Sequence, residues 1–472
     1  MVPSPQRVYN GWVLRDLIGD IWRPLSGDAA PPGEVLVDGP RDVLASVFPV
    51  IDVAAASVGA TLLAAAALAH ARHDLEKPPI VRVDTRHLAF AIRSERFTTI
   101  NGQPGREGFA PLSQFFATRD GWIRLHANYP WHRDRTLGVL QADPTPEAVA
   151  QAVRAWDREA LEEAIFAAGS CAAAVRSPVE WGSHPQGQAV RSLPLIDMLQ
   201  MATGNTDDDE APVGAQLPAA GVRVLDLTRV IAGPVCTRTL AALGAEVLRI
   251  DAPHLPEMPQ HTLDTLAGKR SALLDLRQAE ELERFKELLS SADVLVHGYR
   301  PGALAQFGLS SEELAEAYPK LTVVSLSAWG HAGPWAGRRG FDSLVQAASG
   351  IAVCEADGSP EPGVLPAQLL DHATGYFAAA AALMGLMRRR DGHTYHARVS
   401  LARTATWVLD QPVGPKSEAV ELDPAQFLVE TEGPAGRITL VTPPGELDGI
   451  PLHWPRPPAR YGTDPATWSE TS

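Results

Sequence analysis

The stretch GVRVLDLTRVIAGPVCTRTLAALGAEVLRID, residues 221–251, decides the fold of this chain. VRVLDLT (222–228) is a run of apolar and β-branched residues that reads as a buried strand, and EVLRID (246–251) reads as a second. Between them, the segment after Pro234 has helical character. Working outward, SALLDL (271–276), DVLVHG (293–298) and LTVVSLSAW (321–329) are further strands, and 278–289 and 310–317 have the helical period. Strands alternating with helices predict an α/β fold, a Rossmann-like and mostly parallel sheet with helices on both faces. Such sheets take ligands at the carboxyl ends of their strands. The loop after the first strand here is RVIAGPVC (229–236), which lacks the glycine fingerprint of dinucleotide sites and argues against an NAD oxidoreductase.

Upstream, TGNTDDDEAPVGAQ (203–216) is polar and acidic and marks a linker, taken as 203–217. Before it, FFATRDGWIRLHANYP (115–130) reads as a hairpin with RDG at its turn, followed by helical stretches at 146–155 and 159–168. Residues 91–202 are therefore expected to form a smaller α+β domain. The sheet domain is assigned to 218–435 and a closing segment to 436–472.

Residues 1–90 hold an echo of the second half. IDVAAASVGATLLAAAALAHAR (51–72) parallels LDHATGYFAAAAALMGLMRRR (370–390). Each begins next to an Asp, runs into an alanine-rich helix and ends in basic residues. Each precedes an RV-containing strand, VRVDTRHLAF (81–90) against ARVSLARTAT (397–406). A duplicated fragment explains this, as would two similar Ala-rich amphipathic helices.

With 472 residues and 45% hydrophobic content the chain can bury a substantial core in two or three domains. Its formal charge of -15 argues against nucleic acid and anionic membranes, so an anionic ligand needs a local cluster of Lys and Arg. The apolar runs at 54–71 and 376–387 read as packed helices rather than membrane spans. The three cysteines form no CxxC pair, which fits a reducing compartment, and the start MVPSPQRVYNGW shows no signal pattern. The expected setting is cytoplasmic. His132, His184 and His297 have no second ligand at helical spacing, so no metal site is expected.

These segments resemble the family III CoA transferases, the CaiB/BaiF family. The match rests on 221–251, AGKRSALLDL (267–276), DVLVHGYRPGALAQFGLS (293–310), GRRGFDSLVQAASG (337–350) and LLDHATGYFAAAAAL (369–383). APLSQFFATRDGWIRLH (110–126), SPVEWGSHPQG (177–187) and the segment 436–464 resemble later parts of the family chain. Here the smaller domain precedes the sheet domain, as though two incomplete copies had been fused.

The resemblance implies a coenzyme A thioester as substrate with no bound cofactor, a carboxylic acid as the other reactant, and a homodimer. It implies Asp371 as a covalent nucleophile at a helix start, where the bland reading is a helix cap. Lys269, Arg270 and Arg300 would meet the phosphates of CoA, and Ala232, Gly233 and Ala303 would let it approach closely. Ordinary surface charge and strand–helix packing explain any one of these equally well. Asp52 takes the place of Asp371 in the echo and reads as a cap or relic. Compared with the oxalate-acting member of the family, Ile231 replaces Gln, Phe341 replaces Tyr and Gln306 replaces Arg, which predicts a less polar acyl substrate or weakened activity. The alternatives are an α-methylacyl-CoA racemase, which would need a His where Phe341 stands, and a non-catalytic CoA-binding partner subunit.

Overall fold

The computed structural model describes residues 12–27, 29–104, 108–203, 212 and 216–469. Most of the acidic linker therefore lies outside the described residues.

The N-terminal echo is a structural one. Strand β1 (Val35–Asp38) pairs in parallel with β2 (Val81–Asp84), the two being joined through helix α1 (Val50–Arg72). Helix α1 is long and apolar enough to cross a membrane, yet almost all of it is buried inside the protein. Strand β2 is shorter than the expected 81–90. Asp84 ends it by accepting a hydrogen bond from the Arg86 amide at 2.8 Å, which starts helix α2 (Thr85–Ala91).

The smaller unit has the expected hairpin, β3 (Phe115–Ala117) against β4 (Trp122–Leu125). Its turn is closed by Thr118 N donating to Gly121 O at 2.9 Å. Helices α3 (Pro130–Leu140), α4 (Pro146–Val153) and α5 (Arg158–Ala167) cover it, and β5 (Ala172–Ala174) pairs with β4. Strand β6 (Asp197–Thr203), which the sequence reading left in this smaller unit, instead joins the main sheet.

That sheet has seven strands. In chain order they are β6, β7 (Arg223–Leu227), β8 (Glu246–Asp251), β9 (Arg270–Leu273), β10 (Val294–His297), β11 (Thr322–Ser327) and β12 (His393–Ser400). Their spatial order is β9-β8-β7-β10-β11-β12-β6, with β6 antiparallel at one edge and every other pair parallel. The order reverses between β7 and β10, and the crevice beyond their carboxyl ends is where an open α/β sheet binds ligands. Helix α6 (Ala232–Ala242) follows β7, α7 (Asp342–Ser349) follows β11, and α8 (Leu369–Arg389) leads into β12 and α9 (Leu401–Leu409).

Helix α8 is the counterpart of α1. Their N-caps have nearly the same backbone, φ -78° and ψ 63° at Pro49 against φ -78° and ψ 62° at Gln368, which puts Asp52 and Asp371 at the same helical position. The two helices pack side by side, with Thr61 Oγ1 donating to Tyr376 O at 2.8 Å. Their alanines allow that close approach. Helix α9 is capped like α2, Ser400 accepting from the Arg403 amide at 3.3 Å, so β12 also stops earlier than the expected 397–406.

The closing segment binds the parts together. Its strand β13 (Gly436–Val441) pairs with Thr99–Ile100, and Leu447 pairs with Val81 of β2. Further on, Asp464 accepts from the Ser271 amide at 2.8 Å on the outer strand β9.

Candidate active site

A cavity of about 270 Å³ opens at the switch point, lined by the 227–233 loop after β7, the Gly298–Pro301 loop after β10, and the Arg338–Phe341 loop before α7. Tyr129, Trp131 and His132 of the smaller unit form the facing wall. Asp371 reaches it from the first turn of α8 and is 7% exposed, so its side chain is enclosed yet accessible from the cavity.

What places Asp371 there is a close helix crossing. At Gly375, one turn further along α8, an added Cβ would lie 2.4 Å from Ala232 O and 2.8 Å from Val235 Cβ on α6. Gly233 is tighter still, its added Cβ falling 2.2 Å from Thr228 Cβ. Gly233 and Ala232 both border the cavity, and Gly233 is at once the strand–helix packing residue and a lining residue.

Asp371 is also held through its backbone. Its amide donates to Asp342 Oδ2 at 3.0 Å, Gln346 Nε2 donates to the other oxygen of Asp342, and Gln346 Oε1 accepts from Leu365 N at 2.9 Å. Burial pushes the Asp342 carboxyl up to about 6, against the hydrogen bonds from the Asp371 amide, Gln346 and the Leu370 amide.

The loop after β7 carries strain. Val230, a β-branched residue, has φ +67°, and its amide donates to Glu257 Oε2 at 3.2 Å. Glu257 is itself fixed by Tyr129 Oη, which donates at 2.6 Å, and by Arg249 at 3.2 Å. The neighbouring Ile231 is apolar, and the ring of Phe341 stacks on His126 with centroids 3.7 Å apart.

A second cavity of about 370 Å³ lies beyond the ends of β7, β8, β9 and β10 and shares Leu227, Leu255, Gly298, Tyr299 and Arg300 with the first. Arg300 is exposed, sits in both walls and donates to Gly337 O at 3.3 Å. Ala303 borders this second cavity and not the first.

Two expected phosphate ligands are placed elsewhere. Lys269 is wholly buried: its Nζ meets Asp226 Oδ2 at 2.9 Å and donates to Pro234 O and Thr237 Oγ1. It anchors α6 to β7 and faces neither cavity. Arg270 is buried against the closing segment, donating to Thr467 O at 2.6 Å and Pro465 O at 3.2 Å. Both are basic residues taken from a loop motif whose side chains serve packing between elements. Asp52 is buried and paired with Arg41 at 2.8 Å.

Sequence reasoning missed one cluster altogether. His126, His132 and Cys171 come from β4's end, α3 and the start of β5, and bring their ligand atoms within 4.8 Å of one another. Their spacing of 6 and 39 residues has no helical regularity, so no local signal marks it.

The fold and site define an α/β protein with an enclosed carboxylate at a helix start, beside a crevice at the switch point of its sheet. Residues 219–421 match the model of CoA-transferase family III. It is 29% identical over 316 residues to an acyl-CoA transferase of Gibberella moniliformis, covering 62% of this chain and 55% of that one. It is 27% identical over 392 residues to the acetyl-coenzyme A transferase nodX of Hypoxylon pulicicidum, covering 72% and 66%. A CaiB/BaiF family protein from Brucella suis of known structure shares 26% identity, with coverage of 47% and 65% and a TM-score of 0.38. The chain thus spans between about half and two thirds of the length of these relatives.

Proposed function

We propose that this protein is an acyl-CoA:carboxylate CoA-transferase with Asp371 as its nucleophile. The observation that carries the reading is the placement of Asp371 in the same cavity as the Ala232–Gly233 helix start and Arg300, continuous with a second cavity at the strand ends. The adenosine end of CoA would occupy the second cavity, its phosphates would meet Arg300, and the thioester would reach Asp371.

The chemistry proceeds by exchange of acyl bonds. The Asp371 carboxylate attacks the thioester carbonyl and expels CoA thiolate, leaving a mixed anhydride. The thiolate then attacks the Asp371 carboxyl carbon, which releases the first acid and forms an aspartyl-CoA thioester. The acceptor carboxylate attacks that thioester, displaces CoA thiolate and forms a second anhydride. Attack of the thiolate on the acceptor's acyl carbon gives the new acyl-CoA and restores Asp371. Ala232 and Gly233, the first two residues of α6, whose amides precede the first intrahelical hydrogen bond, line the cavity where negative charge would develop.

The racemase alternative lacks its proton carrier. Phe341 occupies the position of the required His, and His372 is wholly buried, 3.6 Å from Glu95 and outside the cavity lining.

The test is intact-protein mass after incubation with a panel of acyl-CoAs, with hydroxylamine or borohydride trapping. An adduct at Asp371 that vanishes in Asp371→Asn is expected. Solvent deuterium appearing at the α-carbon with no adduct would sink the proposal in favour of racemisation. CoA binding with neither signal would favour a partner subunit.

A further inference from the structure

A third cavity, of about 270 Å³, opens at the carboxyl ends of β10, β11 and β12. It shares Tyr299, Arg300 and Pro301 with the cavity of Asp371, but Asp371 itself is not in its wall. Sheet register builds that wall. His297 of β10 pairs with Ser325 of β11, and Ser325 pairs with Arg398 of β12. Residues paired across neighbouring strands point to the same face, so an imidazole, a hydroxyl and a guanidinium stand in one row. All three line the cavity, as does His331 from the loop after β11. The row ends at Asp197 of the edge strand β6, opposite Arg398.

The protein itself satisfies these groups poorly. Arg398 has Asp197 at 4.0 Å as its carboxylate and donates no hydrogen bond among the described residues. The same Asp197 oxygen stands 3.5 Å from His331. Ser325 Oγ donates to Ala397 O at a long 3.3 Å. His297 Nδ1 is buried without a hydrogen-bond partner among the described residues. So are both ring nitrogens of His396, two residues before Arg398 on the same face. Burial, then His396, push His297 down to about 4, so at neutral pH its ring is uncharged and carries a single N–H. A buried polar group without a partner is costly, and in a cavity wall a ligand can supply that partner.

The charges decide the sign of the ligand. The guanidiniums of Arg300 and Arg398 line the cavity, against the single carboxylate of Glu312, which is exposed. A cation entering would face both guanidiniums. An oxyanion would accept from Arg398, His297 and Ser325 along the row.

We propose that this third cavity binds a small tetrahedral oxyanion of the phosphate class, held by Arg398, His297 and Ser325. The site goes beyond the transfer reaction and does not depend on it, since neither Arg398 nor His297 borders either of the other two cavities. Free phosphate and a phosphate of CoA share the same chemistry, and the experiment separates them.

Equilibrium dialysis of the full chain against radiolabelled inorganic phosphate measures the site, with and without saturating CoA. Wild type should bind phosphate saturably and keep it when CoA is present. A hydrogen bond to a charged group is worth roughly 1.5–3 kcal/mol, or about 10–100-fold. Arg398→Gln should weaken phosphate by that factor and leave CoA affinity unchanged. His297→Phe keeps the bulk of the ring, loses its nitrogens and should weaken phosphate too, with circular dichroism verifying that both variants fold. Absence of saturable phosphate binding overturns the proposal. Wild-type phosphate affinity in both variants also overturns it, because the ion would then sit elsewhere. Full displacement of phosphate by CoA overturns it as a separate site and makes the cavity part of the path of CoA.

Discussion

The backbone amide of Asp371 donates to the carboxylate of Asp342 across 3.0 Å, so one acidic residue fixes the helix turn that presents another. Asp342 is fully buried. Replacing it by Ala would leave the amides of Leu370 and Asp371 without their acceptor, at a cost of about 1–3 kcal/mol per buried group. Adduct formation at Asp371 should slow at least about tenfold in Asp342→Ala. Asp342→Asn keeps one acceptor oxygen and should lose less. Stopped-flow trapping of the adduct, with circular dichroism to verify folding, checks both.

The same residue predicts a pH dependence of stability. Its pKa in the folded protein is raised to about 6, so the folded state holds the proton more tightly than the unfolded chain. That contribution is present at low pH and is lost as pH rises from the ordinary carboxylate range through about 6. Asn imitates the protonated form. The stability of wild type relative to Asp342→Asn, measured by urea unfolding, should therefore decline between about pH 4 and pH 6 and level off above. A difference that is flat or rises with pH would contradict this.

Lys269 and Arg300 should separate structure from binding. Lys269→Met leaves Asp226 buried and unpaired and should cost about 3–5 kcal/mol, while a compensating Asp226→Leu change should recover much of it. Arg300→Ala, exposed at the cavity mouth, should leave the melting temperature nearly unchanged and weaken CoA binding by about tenfold. Calorimetric Kd and thermal unfolding of the three variants decide it.

That contrast also marks how far the sequence could be read. Strand β8 lies where EVLRID predicted it, because alternation of apolar runs with helical segments is a local signal. The sheet also carried the expectation of a ligand site at the carboxyl ends of its strands, while the strand order that sets the switch point came only from the fold. Side-chain direction did not follow: AGKRS offers two basic residues, and only packing against Asp226 and the 465–467 backbone turns both inward. The cluster of His126, His132 and Cys171 was illegible for the same reason, since only the fold brings residues so far apart in the chain together. Strand β6 was assigned to the smaller unit because its partner β12 lies beyond the linker.

Gly375 tests the crossing that positions Asp371. Alanine inside a helix gains about 1 kcal/mol over glycine, but here its Cβ would meet a backbone oxygen at 2.4 Å. A carbonyl on α6 cannot rotate aside, and overpacking costs about 1–3 kcal/mol. Gly375→Ala should therefore lower stability despite its better propensity, and should reduce the rate of Asp371 labelling. If the variant is more stable and fully active, the two helices have room to spare.

Asp52 offers the internal control. It has the same helical position as Asp371, the same cap geometry and a comparable burial, yet it faces Arg41 at 2.8 Å and borders neither cavity. A carboxylate neutralised by a guanidinium, with no loop of α6 and no Arg300 beside it, has nothing to attack. Asp52→Asn should therefore leave the acyl-CoA adduct at Asp371 unchanged in rate and stoichiometry. It should lower stability by about 1–3 kcal/mol, the worth of a charged hydrogen bond to a mostly buried group. Peptide mapping of the trapped adduct in wild type, Asp52→Asn and Asp371→Asn reads both positions at once. Label found on Asp52 would mean that the N-terminal copy has kept its own chemistry, and that position on the helix outweighs the surrounding loops in making a nucleophile.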